Sequence, residues 1–301
     1  MTRFPHLCGV FAAALTPLRP DGDLALEDTR LLLDFLAQRG CHGALLLGTT
    51  GEGPSFSPAE RLDLLRSALP IRDRHPDFRL LAGTGTPSLQ ETVELTASAF
   101  TLGFDGVVVL PPYYFKKVSV DGLFAWFSQV IRQAVPHGGA LFGYHIPPVS
   151  GVALPLELLE RLLQAFPDRF AGIKDSSGDP EQARKLGDHF GSDLLVLNGN
   201  DKLFSHALQH SASGCITAMA NLHSPDLRLV WEAYQRGQWD APVQARLDEF
   251  RTLMDQYPPA PPVYKALIHR LHHLPRWAVR LPLLPLEAES EEKALAEYLA
   301  L

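Results

Sequence analysis

A lysine, several tyrosines and a glycine–threonine turn are the residues of this chain whose types can do chemistry together. Lys174 ends the apolar run Phe170–Lys174 and is followed by the polar stretch Asp175-Ser176-Ser177-Gly178. Burial at a strand end disfavours an ammonium, which is one way to make an amine nucleophilic at neutral pH. A lysine with a pKa of ~10.4 is about 0.04% neutral at pH 7; at ~8 about 9% is neutral, on the order of 200-fold more nucleophile. Taken alone, Lys174 reads more simply as a residue whose stem is buried and whose head snorkels to solvent. The turn Gly48-Thr49-Thr50-Gly51-Glu52 offers backbone N–H groups and hydroxyls suited to a carboxylate. Tyrosines at Tyr113, Tyr114 and Tyr144 can move protons or stabilise an alkoxide. An amine beside a carboxylate-binding loop suggests Schiff-base chemistry on a 2-oxo acid.

Each piece also has a plainer reading. Glycine–threonine turns are common connectors, and a tyrosine ending a strand is usually a hydrogen-bonded core aromatic. His145 falls on the strand face opposite Tyr144 and reads as structural. Glu52 reads as a support for its own turn rather than an acid. His269, His272 and His273 lack obvious carboxylate partners for a metal and read as a solvated helix face.

The elements that must position these residues are legible as eight short apolar runs: Gly9–Leu15, Gly43–Leu47, Arg79–Ala82, Gly106–Leu110, Ala140–Tyr144, Phe170–Lys174, Leu194–Leu197 and Gly214–Thr217. Several are near-continuously apolar, as parallel strands covered on both faces are. Amphipathic helical patterns separate them, Leu26–Arg39 among them. Ser57-Pro58-Ala59-Glu60, Asp179-Pro180-Glu181-Gln182 and Ser224-Pro225-Asp226 carry cap-and-proline signals for helix starts. Nearly every run is followed by a helix, which predicts a (β/α)₈ TIM barrel whose chemistry sits at the C-terminal strand ends. A doubly wound sheet competes, but no strand is followed by a full G-x-G-x-x-G; Gly83-Thr84-Gly85 reads as a tight turn. After about Leu222 helices follow without strands: Pro225–Arg236, Ala241–Tyr257, Val263–His273 and a polar one over Ser290–Leu301. The expected division is a catalytic barrel over residues 1–222 and a helical region over 223–301.

The 301 residues are 46% hydrophobic and 20% charged, an ordinary globular balance. A net charge of −7 without a basic cluster argues against nucleic acid as a partner. No stretch approaches the ~20 apolar residues of a membrane span, and Val10–Leu15 is too short for a convincing signal peptide. Cys8, Cys41 and Cys215 are scattered without metal spacing, so we expect reduced thiols in a cytoplasmic protein.

Four motifs in this order, Gly48-Thr49-Thr50-Gly51-Glu52, Pro112-Tyr113-Tyr114, Tyr144-His145-Ile146-Pro147 and Gly172-Ile173-Lys174-Asp175, resemble the dihydrodipicolinate synthase/N-acetylneuraminate lyase superfamily. The resemblance spans essentially the whole chain and implies a class I aldolase mechanism. By that resemblance Lys174 forms a Schiff base with the keto carbon of pyruvate or a pyruvate-containing substrate. Tyr144 is implied as general acid/base, and Thr49 and Thr50 as holders of the pyruvate carboxylate, Thr49 also linking the tyrosines. Tyr114 matches a second relay tyrosine, supplied across a dimer interface, and Ile216 a position whose carbonyl faces substrate. A homo-oligomer, a dimer or a homotetramer built as a dimer of dimers, is implied. No metal or organic cofactor is, since the lysine serves as electron sink.

Departures from the family pattern bear on substrate. Val149 stands where dihydrodipicolinate synthases carry an arginine for the aldehyde's carboxylate, a contact worth roughly 1.5–3 kcal/mol. Asp201-Lys202 stands where neuraminate lyases carry an Asp-Glu pair. Pro112-Tyr113-Tyr114-Phe115 and Ile173-Lys174-Asp175 look more like the 2-keto-3-deoxy-sugar-acid aldolases, with Ser176, Asn200 and Asp201 as contacts for substrate hydroxyls. The expected reaction is reversible cleavage of a 2-keto-3-deoxy acid to pyruvate and an aldehyde. Its rivals are dihydrodipicolinate synthase itself, a hydratase-aldolase or dehydratase, and a non-catalytic oxo-acid sensor.

Overall fold

A computed structural model describes residues 3–301. Its strands are β1 (Gly9–Ala13), β2 (Gly43–Leu46), β3 (Arg79–Gly83), β4 (Gly106–Val109), β5 (Ala140–His145), β6 (Phe170–Asp175), β7 (Leu195–Asn198) and β8 (Gly214–Thr217). They close in chain order into an eight-stranded parallel barrel, as the alternation of apolar runs and helices predicts. Nearly every strand residue is buried, which is why these strands are apolar on both faces instead of alternating. The helices are α1 (Leu26–Gln38), α2 (Pro58–Ala68), α3 (Leu89–Thr101), α4 (Val120–Ala134), α5 (Pro147–Ser150), α6 (Leu156–Ala165), α7 (Pro180–Phe190), α8 (Phe204–Gln209), α9 (Ala220–Gln235), α10 (Ala241–Met254), α11 (Ala260–His272) and α12 (Ala288–Ala300).

The chain forms two compact units. The first holds Arg79–Ile216 and, of the described N-terminal residues, 3–9. Within it the β5–β6 register sets Tyr144 opposite Lys174 and His145 opposite Asp175. Because side chains alternate along a strand, Tyr144 and Lys174 share one face, and His145 and Asp175 the other. Strands β6 and β7 lie so close that a Cβ on Gly172 would sit 1.9 Å from the Leu195 carbonyl oxygen. In this unit the starts of α3, α4 and α7 are capped by side chains: Ser88 accepts from the Glu91 amide, Ser119 from Gly122 and Asp179 from Glu181.

The second unit holds Val10–Phe78 and Thr217–Leu301, so β1, β2, α1 and α2 cluster with α9–α12. Here Ser57 and Glu60 form the capping box that their spacing predicts. Asn221 stitches the end of β1, donating to the Ala13 carbonyl at 2.9 Å and accepting from the Leu15 amide at 3.3 Å. Helix α12 is tied down by Tyr298, whose hydroxyl meets His223 Nε2 at 2.8 Å, and by the Tyr257–Glu297 hydrogen bond at 2.7 Å. Helix α9 begins five residues before the expected Pro225, with a kink at His223. Proline has no N–H to donate into the preceding turn, and the break falls just ahead of it.

Candidate active site

Lys174 and Tyr144 are brought together by the β5–β6 register. Lys174 Nζ lies 4.0 Å from the centroid of the Tyr144 ring, and the two residues are 3% and 4% exposed. Lys174 is therefore no snorkelling strand end: its head is buried against a phenol. Strand β6 runs one residue past the expected end, to Asp175, whose side chain takes the opposite face. There burial raises the Asp175 carboxyl's pKa, and its Oδ1 accepts from the Ser177 amide at 3.1 Å. His145 is structural, as expected: its Nδ1 accepts from the Leu154 amide at 2.9 Å, and desolvation pushes its pKa down to about 4.

The other first-unit candidates are distributed over the strand ends. Ser176 follows β6, its amide donating to the His145 carbonyl at 2.8 Å. Its hydroxyl rests on Gly199, where an added Cβ would lie 1.9 Å from Ser176 Oγ. Asn200, after β7, turns its Oδ1 to the Lys202 amide at 3.2 Å, and Asp201 is buried at the start of the short 3₁₀ turn Asp201–Leu203. Ile216 is fully buried on β8. Tyr114 projects from the loop after β4, 76% exposed, with its ring edge-on to Phe115 at 5.2 Å. Val149 lies in α5 and is exposed. Lys116 escaped the sequence reading because nothing local marks it. Its Nζ bridges the Tyr113 carbonyl at 2.5 Å and the Ser150 carbonyl at 2.7 Å, joining the loops after β4 and β5.

The second unit carries the glycine–threonine turn at the end of β2. Thr49 is exposed and Thr50 half-buried, while Gly48, Gly51, Glu52 and Gly53 beneath them are buried. Glu52 supports the turn and is not free to act as an acid. Its Oε1 accepts from Lys265 Nζ at 2.6 Å, and its Oε2 from the Arg280 amide at 2.7 Å. Lys265 also donates to the Ala278 carbonyl at 2.5 Å. Desolvation pulls the Lys265 pKa below the ordinary lysine value, with Glu52 opposing. One signal did mark Lys265: it is the sole charge in the apolar helical stretch Pro261–Ile268, and a buried lysine needs a partner.

The histidines of α11 correct the expectation of a solvated face. His269 Nδ1–H donates to the Leu274 carbonyl at 2.7 Å, and the His272 ring packs on Phe35 with centroids 5.0 Å apart. Only His273 is exposed; the others are half-buried because α11 packs its C-terminal turn against the unit. Among the described residues no group of three His, Cys, Asp or Glu side chains is placed to hold a metal. No described helix is long and apolar enough to cross a membrane.

Residues 6–300 match the sequence profile of the dihydrodipicolinate synthetase family. An uncharacterized DapA-like lyase of Chloroflexus aurantiacus is 38% identical over 291 residues, covering 96% of this chain and 95% of that one. A 4-hydroxy-tetrahydrodipicolinate synthase of Sorangium cellulosum is 34% identical over 305 residues, covering 99% and 96%. Among solved structures, YagE of E. coli K12, a prophage protein of the dihydrodipicolinic acid synthase family in complex with pyruvate, superposes with a TM-score of 0.90 at 27% identity, covering 98% of each chain.

Proposed function

Because the chain belongs to the dihydrodipicolinate synthetase family, whose members are pyruvate-dependent lyases, we propose that it reversibly cleaves a 2-keto-3-deoxy acid to pyruvate and an aldehyde. The observation that carries this reading is the buried Lys174–Tyr144 pair, with the amine 4.0 Å from the phenol ring centroid. The pyruvate complex of YagE supports the pyruvate half.

In this mechanism the Lys174 amine adds to the substrate's keto carbon, and water leaves to give an iminium. Removal of the C4 hydroxyl proton breaks the C3–C4 bond; its electron pair flows into the iminium, and the aldehyde departs. The resulting enamine is protonated at C3, and hydrolysis frees pyruvate and the lysine. Tyr144 carries the proton at the reacting centre, with Thr49 and a second copy's Tyr114 completing a relay to solvent. Thr49 and Thr50 hold the carboxylate, and the Ile216 carbonyl faces the bound substrate. Ser176, Asn200 and Asp201 meet the hydroxyls of the leaving aldehyde. The buried, unbridged thiols Cys41 and Cys215 support a cytoplasmic setting.

The name of the Sorangium relative favours a second reading, condensation of pyruvate with an acidic semialdehyde. Against it, Val149 is exposed and offers no cation for the second carboxylate. Incubation with pyruvate and borohydride, followed by peptide mass spectrometry, tests the mechanism. A single reduced adduct on Lys174 is expected; no adduct, or one on another lysine, overturns the mechanism. An aldehyde panel then tests the substrate. Faster carbon–carbon bond formation with glyceraldehyde than with aspartate semialdehyde is expected, the reverse order makes it a synthase, and trapping without turnover makes it a sensor.

A further inference from the structure

We infer that the buried Glu52–Lys265 ion pair is a positioning device for the Thr49–Thr50 turn, setting the geometry in which that turn takes a substrate carboxylate. The inference rests on the carboxylate-holding role proposed above and adds the residues that enforce it.

The turn stands on a base with little freedom. The Glu52 amide donates to the Thr49 carbonyl at 3.1 Å, and the Gly53 amide to Gly48 at 3.1 Å. Gly51 accepts from the Thr16 hydroxyl at 2.6 Å, and an added Cβ there would lie 2.7 Å from the Ala14 carbonyl oxygen. Leu47 and Glu52, at the two ends of the turn, both adopt left-handed backbone conformations, with φ of 60° and 55°. Non-glycine residues rarely do so, and such conformations persist where surrounding contacts over-determine them. At Glu52 those contacts are the two ends of its carboxylate.

Both carboxylate oxygens are engaged by residues more than two hundred positions along the chain, Lys265 in α11 and the Arg280 backbone. The Glu52 and Lys265 side chains are 0% and 2% exposed. Arg280 is itself held in place: its guanidinium donates to Glu60 at 2.9 Å and to the Gly22 carbonyl at 2.8 Å, and lies over the Phe56 ring. A buried ion pair is a poor source of net stability compared with an apolar pair of similar volume. What this pair supplies is direction. It fixes Glu52, and through the Glu52 backbone it fixes the peptide that carries Thr49 and Thr50.

The test uses the full chain with Glu52→Gln and with the double substitution Glu52→Gln/Lys265→Met. The double variant leaves no unpaired charge in the core and keeps the test available should the single variant unfold; melting curves establish that each is folded. Borohydride trapping is measured against concentration for pyruvate and for hydroxyacetone, a ketone of similar size without a carboxylate. In both variants the half-saturating pyruvate concentration is expected to rise about tenfold, the scale of one hydrogen bond to a charged group. Trapping by hydroxyacetone should stay within about twofold of the parent. Unchanged pyruvate saturation, or equal losses with both ketones, overturns the positioning role. If the parent chain forms no adduct, the Schiff-base reading fails instead, and pyruvate binding measured by calorimetry carries the same comparison with the same tenfold expectation.

Discussion

His145 ends β5 with its ring buried, and desolvation holds its pKa near 4, against 6.5 for an ordinary histidine. The folded chain keeps this imidazole neutral in a pH range where the unfolded chain protonates it. Between pH 6.5 and 4 the unfolded state binds more protons, so stability is full above pH 6.5 and is lost as pH falls toward 4. The group contributes on the order of 3 kcal/mol at neutral pH, of which about 2 kcal/mol is gone by pH 5. His145→Asn keeps an acceptor for the Leu154 amide and removes the titration. Its melting temperature should therefore fall by a few degrees less than the parent's between pH 7 and pH 5, as followed by circular dichroism. Alternation along β5 places His145 opposite the Tyr144 face from sequence alone. That its Nδ1 meets Leu154, across the bend through α5, follows only from the folded loop.

Strand β6 illustrates the same division one scale up. Its apolar run and its terminal lysine are plain in the sequence, but the need for glycine at Gly172 is not. The reason lies in β7: a methyl group on Gly172 would press on the Leu195 carbonyl at 1.9 Å, well inside any contact distance. Gly172→Ala must push β6 off β7 and tilt Lys174, which sits two residues away on the same face. A loss of roughly 3 kcal/mol or more in chemical denaturation is expected, together with slower borohydride trapping at Lys174. Denaturation and trapping indistinguishable from the parent would show that β6 has room the close approach denies. Helix signals fared similarly. The capping box at Ser57 and Glu60 is local and reads directly, whereas the start of α9 ahead of Pro225 depends on the segment that precedes the kink.

For the molecule as a whole, the exposed aromatic pair Tyr114 and Phe115 is the feature most at odds with an isolated chain. Large aromatic surfaces of this kind mark contact sites, and the proposed relay needs Tyr114 to be supplied by a second copy. Light scattering should give two or four times the 33.2 kDa chain mass. Phe115→Asp should shift the protein toward monomer and cut aldol cleavage by at least tenfold, since a carboxylate replaces apolar contact area. A monomeric parent with full activity would remove the second copy from the mechanism.

The sequence by itself determined the barrel, the starts of α1, α2, α7 and α10, and the motif order that marks Lys174, Tyr144 and the Thr49–Thr50 turn. The strands are written as short continuous apolar runs, the helices in a period of 3.6 residues and in cap motifs four residues long, all of them local, and the motifs are legible through their resemblance to a family. The tertiary structure alone decided which buried groups meet. It set the Lys174 amine over the Tyr144 ring through the β5–β6 register, and it joined Glu52 to Lys265 across 213 positions. Buried charges must find partners wherever packing delivers them, and no local pattern encodes that delivery.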